Sequence, residues 1–97
     1  MILDILRGAV EDLDGISIYV EQMADRTVAD NYDYRIRKKI ATLVDFPNRG
    51  TSRPELGDGI RSISFEGRYL ILYSVMKDRV RNTRIVAGEQ DLSDLAL

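Results

Sequence analysis

The 97-residue sequence contains no cysteine and no histidine. Without these side chains there is no disulfide, no thiolate nucleophile and no zinc site of the usual ligands. Histidine is also the most common general acid or base near neutral pH, so its absence disfavours proton-transfer catalysis. We therefore expect no metal or other cofactor, and the composition favours binding over catalysis while leaving enzymatic activity open.

The chain also lacks long apolar runs. Arg7 and Glu11 interrupt its start before an apolar stretch of signal-peptide length can form. The longest apolar-rich run, Tyr69 to Met76, is far shorter than the roughly 20 residues of a membrane helix. We therefore expect one compact domain over residues 1–97, located in the cytoplasm and without membrane contact.

Charge is distributed unevenly along the chain. The net charge is −2, yet residues 1–30 sum to −5, residues 31–86 to +6 and residues 87–97 to −3. Eleven of the 14 basic residues are arginine, whose planar guanidinium suits carboxylates and phosphates. The positive middle segment is either ordinary surface charge or a contact region for an acidic partner.

The first half of the sequence predicts a strand and a helical hairpin. Residues 2–6 read as a short strand, and a first helix is predicted at about residues 9–24. Thr27 is expected to cap a second helix at about residues 27–45, which ends at Phe46-Pro47 because the residue before proline avoids helix. The apolar face of the first helix consists of Ala9, Leu13, Ile16, Val20 and Met23, and that of the second of Ala29, Tyr32, Ile36, Ile40 and Leu43.

After a loop at residues 47–59, the apolar period changes to two. This period predicts strands at residues 60–65, 68–76 and 79–87, followed by a short turn capped by Asp91. The expected fold class is α+β: an N-terminal strand and a helical hairpin packed on an antiparallel sheet, in the order β-α-α-β-β-β. The loop is either a connector or a functional segment.

The second of these strands is apolar on both faces, which predicts a central strand. One face carries Tyr69, Ile71, Tyr73 and Val75, and the other carries Leu70, Leu72 and Met76. No helix is assigned to cover the second face. We therefore expect an exposed apolar patch there, of the kind that marks a partner site.

Side chains that suggest chemistry are few. The carboxylate pairs Asp12/Asp14 and Asp91/Asp94 fall near helix starts, where aspartate is favourable without any catalytic role. Arg61 and Arg84 share strand parity with apolar residues, so each needs a partner. That partner is either an internal carboxylate or an external acidic or phosphate-bearing molecule, and the sequence leaves both open.

A series of short motifs runs in a fixed order through the chain. They are Ala9, Asp12-Leu13, Ile16 and Tyr19-Val20, then Phe46-Pro47-Asn48-Arg49-Gly50, Arg53-Pro54-Glu55-Leu56 and Gly59-Ile60-Arg61-Ser62, then Gly67-Arg68-Tyr69-Leu70-Ile71-Leu72-Tyr73, Val80, Arg84-Ile85-Val86 and Gly88 before Asp91-Leu92. In order and spacing the chain resembles the ParE branch of the RelE/ParE toxin superfamily over nearly its whole length.

The chain departs from that family at three positions. Family members commonly carry histidine before this glycine and arginine before this aspartate, where this chain has Ala87 and Gln90. The ribosome-dependent RNases of the superfamily tend to carry arginine at the position of Leu70. These departures disfavour RNA cleavage.

The resemblance implies the toxin of a bacterial type II toxin–antitoxin pair, associated with plasmid stabilisation and with poisoning of DNA gyrase. It also implies a cognate antitoxin, a small DNA-binding protein encoded beside the toxin, and no direct nucleic-acid contact by the toxin itself. An mRNA interferase of the RelE type and a degenerate toxin that only binds antitoxin are the alternatives. The residues expected to contact the target or the antitoxin are Arg61, Arg68, Tyr69, Leu70, Leu72 and Arg84.

Overall fold

The computed structural model describes residues 1–88, so the turn predicted around Asp91 lies outside the described residues. Its order is one strand, two helices and four further strands, an α+β arrangement that confirms the predicted fold class. The strands are β1 (Ile2–Ile5), β2 (Thr51–Ser52), β3 (Ile60–Phe65), β4 (Tyr69–Val75) and β5 (Arg79–Ala87), and the helices are α1 (Arg7–Met23) and α2 (Arg26–Ala41).

The two helices form the predicted hairpin, but α2 begins with a different cap. The side chain of Asp25, rather than that of Thr27, accepts a hydrogen bond of 2.9 Å from the backbone N–H of Val28. Asp25 is extended, which lets its carboxylate reach back to the first turn. The helix ends at Ala41 and continues as a single 3-10 turn, Thr42–Val44.

The sheet has five strands in the order β1-β5-β4-β3-β2. All neighbours are antiparallel except β1, which pairs in parallel with β5. The sheet is therefore mixed rather than wholly antiparallel. The predicted loop 47–59 contains β2 and a 3-10 turn at Pro54–Leu56, so it is partly ordered by pairing with β3.

The turn between β3 and β4 lies at the predicted dipeptide, Glu66-Gly67. Both residues have positive φ, 50° for Glu66 and 69° for Gly67, the pattern of a type I′ hairpin turn. This backbone twist matches the right-handed twist of the flanking strands. Arg68 donates its N–H to the carbonyl of Phe65, and the strand pairing begins one residue later, with Phe65 facing Tyr69, so the connection has three residues.

The core lies between the helical hairpin and one face of the sheet. Ile71 and Tyr73 of β4 are fully buried in it, and Tyr69 and Val75 pack against it, so this face of β4 is the predicted core face. The helices contribute their predicted apolar stripes, except that Met23 at the end of α1 is 70% exposed and lies outside the core. No helix among residues 1–88 is both long enough and apolar enough to cross a lipid bilayer.

A β-bulge interrupts the pairing of β4 with β5. Leu72 faces Arg84 but Tyr73 faces Asn82, so Thr83 is the extra residue. Asn82 is fully buried, and its amide donates to the carbonyl oxygens of Leu72 at 2.9 Å and Arg84 at 3.3 Å. The extra residue changes the alternation of side chains between the two faces of the sheet along β5, and so redirects the side chain of Arg84.

Candidate functional site

Arg84 is held by an internal salt bridge. Its guanidinium donates to both carboxylate oxygens of Asp12, at 2.7 and 3.1 Å. The carboxylate also accepts the backbone N–H of Ile85 at 2.8 Å. The hydrogen bond with Asp12 is the main reason that the pKa of Arg84 is raised above its ordinary value. Of the two partners left open by the sequence, the structure shows the internal one.

Asp12 therefore has a role that its sequence position did not reveal. It lies in the middle of α1, not near the helix start, and its side chain is 17% exposed. Because β1 ends at Ile5, the outer edge of β5 has no strand partner at Ile85 among residues 1–88, and Asp12 takes the place of one there. No local pattern signals this contact, since the two residues are 73 positions apart.

Arg61 is also engaged internally, with the loop before β2. One guanidinium nitrogen donates to the carbonyl oxygens of Gly50 at 2.8 Å and Asn48 at 3.3 Å. The fully buried Tyr73 holds the same loop: its hydroxyl donates to the carbonyl of Pro47 at 2.9 Å and accepts the N–H of Gly50 at 3.0 Å. Arg61 and Tyr73 together fix residues 47–50 against the sheet.

Gly50 is required by this close approach. A Cβ atom on it would lie 2.5 Å from the Tyr73 hydroxyl oxygen and 2.8 Å from the carbonyl oxygen of Ser62. Both distances are shorter than real Cβ contacts, and one of the two atoms belongs to the backbone of β3. A larger residue here would push the loop off the sheet.

The apolar patch expected around Leu72 is not exposed at that residue. Leu72 lies in the central strand, between Ser62 of β3 and Arg84 of β5, and its exposed fraction is 0%. Leu70 is half-buried. The expectation was wrong for Leu72, whose side chain is fully buried although no helix among residues 1–88 is assigned to that face. Leu70 remains accessible to a partner.

Arg68 and Tyr69 lie at the end of the sheet beside the hairpin turn. They line an open cavity of about 500 Å³ together with Tyr19, Gly67 and Ala87. Tyr19 is half-exposed on α1, and Arg68 is exposed in the turn. The cavity thus combines an aromatic wall with a cation, which suits a side chain or peptide segment of a protein partner.

An aromatic cluster behind this cavity supports the turn. Tyr32 of α2 contacts Phe65 and Tyr69 edge to face, at centroid distances of 5.5 and 6.2 Å. Burial raises the pKa of Tyr32. Arg35 donates two hydrogen bonds to Glu66, at 2.9 and 3.2 Å, and these lower the pKa of the Glu66 carboxyl.

The structure brings together a second, basic site that the sequence did not indicate. Lys39, Arg49 and Arg53 surround an open groove of about 440 Å³ at the outer edge of β3. They come from the end of α2, the loop before β2 and the segment after β2, and none was among the predicted site residues. Of the predicted residues, Leu70 lines this groove.

Comparison with solved structures defines the class of fold. The chain is similar to a protein described as the chromosomal ParDE toxin–antitoxin system from P. aeruginosa, with a TM-score of 0.81, 24% identity, and coverage of 92% of this chain and 97% of that one. It is also similar to a conserved hypothetical protein from Helicobacter pylori solved in solution, with a TM-score of 0.55, 17% identity and coverage of 93% and 97%. These likenesses establish a ParE/RelE-like fold.

The sequence identifies the family within that fold. Residues 3–92 match the family described as the ParE toxin of the type II toxin–antitoxin system parDE. Because the match covers nearly all of the chain, the protein belongs to the ParE toxin family. A search of curated proteins finds no significant match.

Proposed function

We propose that this protein is a cytoplasmic toxin that binds and inhibits DNA gyrase and is neutralised by a cognate antitoxin encoded beside it. Membership of the ParE toxin family supports the toxin–antitoxin part of this proposal. Inhibition by binding requires a surface of suitable shape and charge rather than a set of proton shuttles.

The observation that carries the proposal is the internal use of two sheet arginines. An RNase of the RelE type needs cations that are free to stabilise the developing phosphorane charge. Arg84 is bound to Asp12, and Arg61 to the carbonyl of Gly50. Both hold the fold in place, so binding is favoured over cleavage. The exposed Arg68 and the half-buried Tyr69, at the other end of the sheet, are left as the contact surface.

The outer edge of β3 supports the antitoxin part of the proposal. β2 pairs only with Arg61 and Ser62, so residues 63–65 have no strand beyond them among the described residues. An extended antitoxin segment could add a strand at this edge, where its main chain would pair with β3. Leu70 lies on the adjacent strand opposite Ser64, within reach of a side chain on such a segment.

A paired assay tests the target. The purified protein is added to a gyrase supercoiling reaction and, separately, to ribosomes translating a defined message. We expect loss of supercoiling with the message intact. Cleavage of the message at defined codons would instead establish the RelE alternative, and no effect in either assay would leave the degenerate toxin as the better description.

Arg68→Ala is the informative variant, because Arg68 is exposed and its replacement leaves the core unchanged. Its matched control is Arg26→Ala, which removes the same charge from the start of α2, where the side chain is 78% exposed. We expect Arg68→Ala to weaken gyrase inhibition at least several-fold and the control to leave it unchanged. Equal inhibition by both variants would exclude Arg68 from the target contact.

The antitoxin is tested by purifying this chain with the product of the neighbouring reading frame. Binding of that product should raise the melting temperature of the toxin, because a ligand of the folded state stabilises it. If the neighbouring product neither binds nor protects, the antitoxin part of the proposal is wrong. The gyrase result is independent of this outcome.

A further inference from the structure

The basic groove beside β3 carries more positive charge than its surroundings neutralise. Three basic residues line it: Lys39, Arg49 and Arg53. Within residues 1–88 they make a single ion pair, between Arg53 and Glu55 at 3.8 Å. A guanidinium nitrogen of Arg49 instead donates to the neutral hydroxyl of Thr42 at 3.0 Å. Three cations thus line the groove, and the one carboxylate paired with any of them, Glu55, is not among its lining residues.

Each of these cations is held in place by a polar contact or by burial. The Nε of Arg53 donates to the hydroxyl of Ser62 at 2.9 Å, and Thr42, the partner of Arg49, itself donates to the carbonyl of Lys39 at 2.6 Å. Lys39 is half-buried. The loop that carries Arg49 is fixed to the sheet through Tyr73. The two guanidinium charges are therefore preorganised, which reduces the entropy lost when an anion binds.

A fourth cation lies next to the groove. Arg61 donates to the carbonyl of Gly50, and Gly50 lines the groove. The arginine uses neutral acceptors there, so its charge adds to the local positive potential. Clefts lined by one sign of charge focus the field and attract oppositely charged ligands even when the net charge of the protein, here −2, is unfavourable.

The lining indicates which class of anion fits. Besides the cations, it consists mainly of polar residues, including Ser62 and Ser64. Leu70 is its large apolar side chain, since the side chain of Ile63 belongs to the core. An acidic peptide binds tightly through buried aromatic or aliphatic anchors, for which this groove offers little. A nucleic-acid backbone presents regularly spaced phosphates joined by polar sugars, and arginine matches phosphate with two parallel hydrogen bonds.

We propose that the groove formed by Lys39, Arg49 and Arg53 binds the phosphates of a nucleic-acid backbone. This departs from the expectation, drawn from the family resemblance, that the protein makes no direct nucleic-acid contact. The three cations are separated in sequence and converge only in the folded chain. The site goes beyond the proposed inhibition of gyrase, and its test contains no gyrase, so either proposal can fail without the other. Because the groove includes the β3 edge and Leu70, which the proposed antitoxin contact also uses, antitoxin and nucleic acid would compete for this edge.

The test is a fluorescence-anisotropy titration of the full chain with a labelled duplex oligonucleotide at several salt concentrations. Each phosphate neutralised by a cation contributes a slope of about −0.9 to the plot of log K against log salt. Three contacts predict a slope of about −2.7 for the wild type by the same relation. Arg53→Gln and Lys39→Gln should each reduce the slope by about 0.9 and weaken binding on the order of tenfold at low salt.

The matched control is Arg26→Gln, which lowers the net charge equally. Arg26 and Lys39 are 13 residues apart on α2, on the order of 20 Å along the helix axis. We expect this variant to bind as the wild type does. Lys39 makes no side-chain salt bridge within residues 1–88. Lys39→Gln therefore removes a charge from the groove without breaking an ion pair that holds the edge of the sheet.

Three results would overturn the proposal. The first is a salt slope near zero for the wild type. The second is an equal loss of binding in Arg26→Gln and the groove variants, which would show a general charge effect. The third is tighter binding of polyglutamate than of the oligonucleotide with the same sensitivity to Arg53→Gln, which would identify the groove as a site for an acidic protein.

Discussion

Removing the hydroxyl of Tyr73 should destabilise the protein by releasing the loop that precedes β2. In Tyr73→Phe the ring still fills its buried position, but two hydrogen bonds are lost: the one donated to Pro47 and the one accepted from Gly50. The carbonyl and the N–H left behind are only partly shielded from water, because both residues are half-buried. Because the phenyl ring keeps the position of the tyrosine ring, this variant tests the two hydrogen bonds without a change in packing.

The magnitude follows from the cost of unsatisfied polar groups. A buried donor or acceptor that loses its partner costs about 1–3 kcal/mol. Since water reaches both groups in part, we expect the free energy of unfolding to fall by about 1–3 kcal/mol for the pair together. For a domain of this size that corresponds to a decrease in melting temperature of roughly 4–24 °C. Urea denaturation monitored by circular dichroism measures the free energy directly.

Tyr32→Phe is the matched control. The hydroxyl of Tyr32 is buried and has no hydrogen-bond partner within residues 1–88. Its removal deletes an unsatisfied polar group, so the free energy of unfolding should stay constant or rise slightly. If the two variants shift the urea midpoint equally, or if Tyr73→Phe shifts it by less than Tyr32→Phe, the loop is not held by the Tyr73 hydroxyl and the reasoning is refuted.

Two further predictions concern the first helix and the hairpin turn. Gly15→Ala should raise the free energy of unfolding by up to about 1 kcal/mol through helix propensity, because a Cβ at Gly15 meets nothing within 4 Å. Gly8→Ala should lower the free energy of unfolding by about 1 kcal/mol through overpacking, because a Cβ at Gly8 would lie 2.9 Å from Cδ of Arg84. Equal urea midpoints for Gly15→Ala and Gly8→Ala would contradict this expected difference. The pKa of Glu66 is lowered from its ordinary value of 4.5 by Arg35, so its contribution to stability is present above that pH and is lost as the pH falls through the folded-state value. Between pH 7 and pH 3, the free energy of unfolding of Glu66→Gln should therefore fall less than that of the wild type. If both proteins show the same dependence on pH, the Glu66–Arg35 pair does not contribute to stability.

The elements of this protein could be predicted from sequence because their signals are local. Apolar spacings of three and four define α1, and a period of two defines β3 to β5. The dipeptide Glu66-Gly67 adopts the two positive φ angles of a hairpin turn, and glycine at the second position makes that turn favourable. These features depend on neighbouring residues, so the strands and helices were found within a few residues of their positions.

Other parts of the fold depend on residues that are distant in sequence. β2 has only two residues, and it exists because Thr51 and Ser52 pair with β3. The bulge at Thr83 moves Arg84 toward Asp12, and no period in the sequence marks it. The choice between an internal and an external partner for Arg84 was therefore open until the structure placed the carboxylate within 2.7 Å.

The sequence by itself determined the fold class, the family and the excess of arginine in the middle of the chain. Only the tertiary structure decided which arginines are available to a partner. Arg61 and Arg84 are used to hold a loop and a strand edge, while Arg49 and Arg53 converge with Lys39 on one groove. The physical reason is that the interaction between two charges depends on their distance in space and not on their separation in the sequence. The apolar period and the composition describe the order of residues along the chain. They do not show which side chains come into contact when the helical hairpin packs on the sheet.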